Sequence, residues 1–581
     1  MSEKMYEAVV IGSGFGGAIN ACRLARKWPG GQVLVLERGK RYPMGSFPRS
    51  PHDFARNFWS LSSDSMRRPA HIRKTAGNDD LHGMFDVRNY GHMDVVMSAG
   101  FGGGSLIYAN VFMPPPDWVF NDRWPSTCKK PNLLPYYEIA RDVLGSRPVP
   151  VTHDPRRRLR KTELFQKAAA SAGKKSELVD INVFFGNDFA NPLTIGTQEK
   201  NRFGALQTSC TYCGECIVGC NYHAKNTTDL NYLFVAEHRF NAEVRTEHVV
   251  TKIVPLGKSG AEDTDADGAN GYRVHFLDLT QGAPVAGAVV TQRVIVSAGT
   301  LGTTELLLRA KLHSKTLPRI SNKLGQSFSG NGDFLEFVLG SREPADPNYG
   351  PTITQRTDYN LFAEFDPNHA FILEDASYPT QLAWFVEGAK PGFLWLGPLI
   401  RTARAIIARI QRSKSLGSIG FALADVLMSD VSYHTAVLLC MGLDRSNGVM
   451  SLDENHNLTI DWPFRDSMPL YKAIENAGEG FRKAVGADVF AALPTWDWPL
   501  RKNITVHPLG GCTLANDSNQ GVTSADIATF GQVFEYKGLY VADGSLLPTA
   551  AGANPVATIS ALSERVAEGI TKIPADPDLG A

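Results

Sequence analysis

The apolar positions near the start of the chain already specify a fold unit. Ala8-Val9-Val10-Ile11 is a continuous apolar run, the pattern of a strand buried on both faces. Ala18, Ile19, Cys22 and Ala25 then recur at helical spacing, and Val33-Leu34-Val35-Leu36 forms a second buried run that stops at Glu37. Strand, helix and strand with short connections predict a βαβ unit in a parallel sheet. Far downstream, Val294-Ile295-Val296 and Leu539-Tyr540-Val541-Ala542 predict two more buried strands, and residues 304–312 and 558–573 predict helices. Residues 257–271, rich in Gly and Asp, predict a turn between strands. The stretch from Gly45 to Met84 is polar, aromatic and proline-bearing, an excursion away from a sheet. Residues 331–500 alternate strand patterns with proline breaks. Sheet elements of one type at both ends and in the middle predict a domain assembled discontinuously, with a second domain inserted into it.

Within that insertion, Leu399, Ile400, Ala403, Ile406, Ile407 and Ile410 share one helical face, with Arg401, Arg404, Arg409 and Arg412 mostly elsewhere. A core-facing helix with solvated arginines is the favoured reading over a membrane-docking or lid element. Composition and overall patterning change the picture in four ways. The 59 Lys and Arg balance 59 Asp and Glu over 581 residues, which argues against nucleic acid as the partner. No run reaches the ~18 apolar residues of a membrane-spanning helix. Met1 to Met5 leads directly into a strand without a signal-peptide pattern, so a cytoplasmic protein is expected, with peripheral contact to a membrane as an alternative. The eight cysteines are too few for a disulfide scaffold, yet four of them cluster.

Four groups of residues carry candidate chemistry. Gly12-x-Gly14-x-x-Gly17 sits between strand and helix, and Glu37 lies about 20 residues past Gly17, which is the dinucleotide fingerprint. The glycines let backbone approach a pyrophosphate at the helix N-terminus, and Glu37 can accept bonds from ribose hydroxyls. A second segment, Gly100 to Ser105 with Gly102, Gly103 and Gly104, lets backbone lie against a large flat group and, with Asn110 downstream, suits a flavin ring. Near the C-terminus, His507 stands between a strand-like Ile504-Thr505-Val506 and a Gly-Gly turn, Asp543-Gly544 ends a buried strand, and Asn554-Pro555 opens the last helix. That helix N-terminus favours negative charge, and His507 is placed for acid–base work.

The fourth group is Cys210-x2-Cys213-x2-Cys216-x3-Cys220, spaced as in a bacterial ferredoxin run but followed by Asn221 rather than proline. An iron–sulfur cluster, a zinc site and four reduced thiols all remain open on this spacing.

Taken together these motifs resemble the glucose–methanol–choline (GMC) flavin oxidoreductases, and within them the intracellular, mycobacterial-type cholesterol oxidases. The resemblance runs through Ile11 to Gly17, Gly102 to Leu106, Cys210 to Thr227, Gly299 to Leu307, His507 to Gly511, Gly538 to Ser545 and Asn554-Pro555. It implies an α/β fold: a Rossmann-like FAD-binding domain (residues 5–45, 90–115, 222–330 and 500–575) and an inserted α+β substrate-binding domain on an antiparallel sheet (46–89, 116–221 and 331–499). It implies FAD as cofactor, and some hexose dehydrogenases of this superfamily carry a three-iron cluster near the cysteine position. His507 matches the active-site histidine, Asn554 the asparagine between flavin and substrate, and Val250 the backbone contact to adenine. Glu374 falls where the steroid isomerisation base would lie, with Glu336 and Asp333 as the next candidates. One departure concerns Asn110, since secreted cholesterol oxidases place an asparagine earlier. The implied activity is oxidation of a hydrophobic secondary alcohol, foremost a 3-hydroxysteroid, with dioxygen or an electron carrier as acceptor. The alternatives are a dehydrogenase of terpene or long-chain alcohols and a flavoprotein electron-transfer module without alcohol chemistry.

Overall fold

The computed structural model describes residues 4–60, 81–150, 154–383, 407, 430–493, 495–496 and 501–580. The two apolar runs near the start form strands Ala8–Ile11 and Val33–Leu36, with helix Phe15–Lys27 between them. They pair in parallel, and Glu243–Arg245, Val294–Val296 and Leu539–Val541 complete a five-stranded, all-parallel sheet. Its strands are drawn from residues more than 500 positions apart. The predicted turn at 257–271 joins the antiparallel strands His248–Pro255 and Tyr272–Asp278 of a second sheet. The helix expected at 304–312 begins earlier, at Gly299–Leu308, and its tail Arg309–His313 widens into a π turn.

Helix Val556–Thr571, near the C-terminus, packs on the first helix. Arg23 meets Glu564 through two bonds, Nε to Oε2 at 2.8 Å and Nη2 to Oε1 at 2.9 Å, and the Tyr232 hydroxyl donates to Oε1 at 2.7 Å. Both charges are buried.

The inserted part is built on a six-stranded, fully antiparallel sheet in the order Val489–Ala492, Phe334–Leu339, Ala436–Gly442, Phe371–Ala376, Gln355–Tyr359, Ser176–Leu178. Register decides which face each acid takes. Glu374 lies opposite Leu439, and Leu439 opposite Leu335, so these three share one face. Asp375, Leu438 and Glu336 share the other. That other face is covered by helices Arg160–Ser171 and Met468–Val485. Asp375 accepts from Lys161 Nζ at 3.0 Å and Thr162 Oγ1 at 2.8 Å, and a Cβ on Gly478 would come within 2.3 Å of Glu336 Oε2.

Among the described residues no helix is long and apolar enough to cross a membrane. Apart from Ile407, the amphipathic segment 399–412 lies outside the described residues.

Removing one partner of a buried ion pair strands the other charge, at a cost of about 3–5 kcal/mol. Arg23→Met is therefore expected to lower stability by about that much in urea unfolding. Lys175→Ala, which breaks the exposed pair with Glu177, is expected to be indistinguishable from wild type.

Candidate active site

The carboxyl ends of the parallel strands open onto one cavity of about 700 Å³. Gly12, Glu37, Ser297 and Asp543 line it from just beyond those ends, and Val250 lines it from the neighbouring sheet. An open parallel sheet binds ligands at this edge. The first helix has no side chain capping its amino end, which leaves its free N–H groups and positive dipole end for an anion beside Gly14. Gly17 does not line the cavity. A Cβ there would lie 2.0 Å from the Gly12 carbonyl oxygen, so its part is to let helix and turn close together. Glu37 is held rigidly: Oε2 accepts Ser13 N at 3.0 Å and Ser13 Oγ at 2.6 Å, and Oε1 accepts Gly39 N at 2.8 Å. A carboxylate has about four acceptor sites, so capacity is left for a hydroxyl.

The second glycine segment folds against the first. A Cβ on Gly103 would sit 2.5 Å from Gly14 Cα, an approach that requires glycine at position 103. Gly103 and Gly104 line the cavity, whereas Gly102 and Ser105 do not. They lock the turn instead: Gly102 N donates to Ser13 Oγ at 3.0 Å, and Ser105 Oγ donates to Gly102 O at 2.6 Å and accepts Thr228 N at 3.1 Å. Asn110 departs from expectation. Its neighbours Ala109 and Val111 line the cavity, but the Asn110 side chain is fully buried in protein.

At the other side of the cavity stand His507, Asn554, Asp543 and Gly544. Asp543 is fixed by Ser545 and Thr303, and burial raises its pKa. His507 follows strand Asn503–Thr505, which pairs in parallel with Met93–Ser98. Its Nδ1 lies 2.8 Å from Asp333 Oδ1. Asn554 sits at the uncapped amino end of helix Val556–Thr571, and its Oδ1 has no protein partner among the described residues. Asn554 Nδ2 donates to Glu374 Oε2 at 3.4 Å.

The acids expected at the site divide. Glu374 lies behind Asn554 and does not itself line the cavity, and burial pushes its pKa up to about 8. Glu336, on the opposite face of the sheet, cannot reach the cavity as placed; burial, with Glu475 nearby, raises its pKa. Asp333 lines the cavity, but both its oxygens are engaged by protein donors. Sequence order gives no signal for that contact, since Asp333 and His507 are 174 positions apart. Nor does it signal the charged wall that Arg38, Arg88, Glu305 and Arg309 add to the cavity. Arg88 Nη1 meets Glu305 at 2.7 Å, Arg309 meets it at 2.8 Å, and Arg38 meets buried Asp86 at 2.8 Å. Burial would raise the Asp86 pKa, but Arg88 and Arg38 outweigh it and hold the carboxyl low.

The metal expectation for Cys210, Cys213, Cys216 and Cys220 is corrected. Among the described residues, which include all four, no group of three or more His, Cys, Asp or Glu is arranged to hold a metal ion. Burial raises the Cys210, Cys213 and Cys220 thiol pKa values, Cys213 to about 12. The segment wraps a buried cation instead. Lys225 Nζ donates to the carbonyls of Leu106, Tyr108 and Cys216 at 3.0, 2.9 and 2.9 Å. Three acceptors match the three ammonium protons, and burial lowers the Lys225 pKa to about 8.

Two models of the GMC oxidoreductase family match the chain, the N-terminal one over residues 194–328 and the C-terminal one over residues 444–563. The chain belongs to the GMC oxidoreductases. A cholesterol oxidase of Acinetobacter baumannii is 29% identical over 96% of this chain and 93% of its own length. A cholesterol oxidase of Mycobacterium tuberculosis is 26% identical over 97% and 90%. A long-chain-alcohol oxidase of Arabidopsis thaliana is 22% identical over 97% of this chain and 67% of its own. Among solved structures, pyridoxine 4-oxidase from Mesorbium loti shares the fold with a TM-score of 0.58 at 14% identity, covering 97% of this chain and 98% of its own. Formate oxidase of Aspergillus oryzae does so with 0.58 at 16%, covering 98% and 99%. The GMC family is FAD-binding, and this GMC chain is an oxidoreductase of alcohols.

Two measurements check the site. Metal analysis of the purified GMC protein is expected to find neither iron nor zinc in stoichiometric amount, and about one zinc or three to four irons per chain would restore the cysteine quartet as a ligand set. The second concerns Glu374. A carboxyl raised to about 8 contributes stability fully present below its unfolded pKa and lost as pH rises through 8. Glu374→Gln has no such loss, so its unfolding free energy relative to wild type is expected to improve steadily from pH 5 to pH 8.5.

Proposed function

We propose that the chain is an FAD-dependent oxidase of a hydrophobic secondary alcohol, with a 3-hydroxysteroid as the leading substrate. The observation that carries this reading is His507 and Asn554 standing together in the cavity that also holds both glycine segments. The residues present fit FAD. The bare helix end at Gly14 and the contact of Gly14 with Gly103 leave backbone open to a pyrophosphate, Glu37 retains acceptor capacity for a ribose, and Val250 stands where adenine would lie. Gly104, Asp543, Gly544 and the amino end of helix Val556–Thr571 would hold the remainder. On this assignment the cofactor half comprises residues 5–45, 90–115, 222–330 and 500–575, and the substrate half the segments between them.

When bound, FAD supplies the acceptor for the carbinol hydride. The chain's own residues do the rest. Phe334, Leu335, Ala376, Leu439 and Val506 give the cavity an apolar side that favours a lipid-like substrate and excludes water. His507 takes the hydroxyl proton, and the amide of Asn554, with its free Oδ1, orients the hydroxyl group. Names of relatives that are oxidases favour dioxygen over a carrier as the final acceptor. Similarity to both cholesterol and long-chain-alcohol oxidases keeps a long-chain alcohol as the second substrate class. An electron-transfer module would have no use for His507 and Asn554 at one end of the cavity.

If the sterol carries a ring double bond, Glu374 is our candidate for the base that moves it. It is neutral below about pH 8 and must lose its proton to act, and Asn554 must turn aside to admit it.

An anaerobic stopped-flow screen of sterols, terpenols and alkanols tests the substrate class, with fastest flavin bleaching expected for the 3-hydroxysteroid. His507→Ala should keep the flavin colour but slow bleaching by about 10²–10⁴-fold. Glu374→Gln should spare oxidation and stop double-bond migration, and wild-type migration should accelerate as pH rises towards 8.

A further inference from the structure

We propose that Asp333 is the positioning residue of His507: it fixes the imidazole in the Nδ1–H tautomer and stabilises the charge the ring acquires. This rests on the reading of His507 as the proton acceptor.

The geometry separates the two oxygens of Asp333. Oδ2 is spent on the backbone side, accepting Thr505 Oγ1 at 2.8 Å and Val506 N at 2.9 Å. Oδ1 accepts His507 Nδ1 at 2.8 Å. The main chain is tied down as well: Asn503 Nδ2 donates to the Asp333 carbonyl at 2.7 Å, and His507 N donates to Thr505 Oγ1 at 2.9 Å. The carboxylate is thus locked to the three-residue turn by three bonds, and the imidazole cannot rotate without giving up its bond to Oδ1.

An ionised carboxylate only accepts, so Nδ1 must carry the proton of the neutral ring. The lone pair then sits on Nε2, which makes no hydrogen bond among the described residues, while the ring lines the cavity. As the substrate's O–H bond breaks, its proton goes to Nε2, the C–H pair leaves as hydride to FAD, and the C=O bond forms. The imidazolium is left 2.8 Å from a buried carboxylate. A charge-assisted bond of this kind strengthens as the positive charge develops, so it favours the transition state over the ground state.

A purely structural tie would make the same contacts but would leave the tautomer and the pH profile alone. ¹⁵N NMR of histidine-labelled holoprotein, with the His507 signal assigned by its loss in His507→Gln, reads the tautomer without any alcohol present. The expected result is Nδ1–H in wild type and a shift towards Nε2–H in Asp333→Asn. Nε2–H in wild type overturns the proposal even if no Asp333 variant folds. In Asp333→Asn flavin reduction should fall by about 10²–10⁴-fold, the range of a general acid–base contribution. The acid limb of its pH profile should move to lower pH, because the imidazolium has lost its partner. If Asp333→Asn reduces flavin at the wild-type rate while His507→Ala does not, the positioning role falls and the alcohol chemistry stands. If His507→Ala also reduces at the wild-type rate, the functional reading falls, and the tautomer measurement still decides the role of Asp333.

Discussion

Everything at this site depends on strand direction. Five strands run the same way, so their carboxyl ends meet at one edge, and the registers Ile11–Leu36, Ile11–Val296 and Val296–Val541 bring those ends level. The residues that follow, Gly12, Glu37, Ser297 and Asp543, are therefore neighbours without having any sequence relation to one another. A parallel sheet needs long crossovers between its strands, and those crossovers are the room into which the antiparallel sheet is inserted. The cavity is where the edge of one sheet meets a face of the other.

The seam between the two sheets brings His507 and Asp333 together. His507 comes from the turn after Asn503–Thr505, and Asp333 immediately precedes Phe334–Leu339, the strand second from one edge of the antiparallel sheet. Alternation along Phe371–Ala376 sends Glu374 towards Asn554 and Asp375 towards Lys161, so two adjacent acids have unrelated surroundings. Asp375 finds a cation and hydroxyls; Glu374 finds one amide proton at 3.4 Å and an unpartnered Oε1. That asymmetry is set by a one-residue offset, and burial pushes the Glu374 pKa up to about 8.

The sequence was legible where local patterning and function coincide. Apolar runs located Ala8–Ile11, Val33–Leu36, Val294–Val296 and Leu539–Val541, and the glycine spacing located Gly12, Gly14 and Gly103 on the cavity. It was not legible where long-range packing decides. Spacing presented the four cysteines as ligands, but their surroundings turned the segment around Lys225 instead. Glu336 and Glu374 look alike in a string of letters and lie on opposite faces of the sheet. Asn110 occupies a segment that borders the cavity, with its side chain buried in protein instead. The Asp333–His507 contact and the Arg38–Asp86 and Arg88–Glu305 pairs join residues whose proximity only the fold creates.

The pairing of the first helix with the helix Val556–Thr571 has a consequence for biosynthesis. During synthesis, the fingerprint Gly12 to Gly17 emerges from the ribosome early, but the buried Arg23 has no carboxylate to meet until Glu564 has been made. The strand Leu539–Val541, which closes the sheet, is equally late. The nascent chain must therefore extend 541 residues beyond Arg23, with an unpaired arginine and an open sheet edge, before that pair can form. The edge that carries Gly12, Glu37, Ser297 and Asp543 is therefore complete as one surface only after the last of its strands has been made.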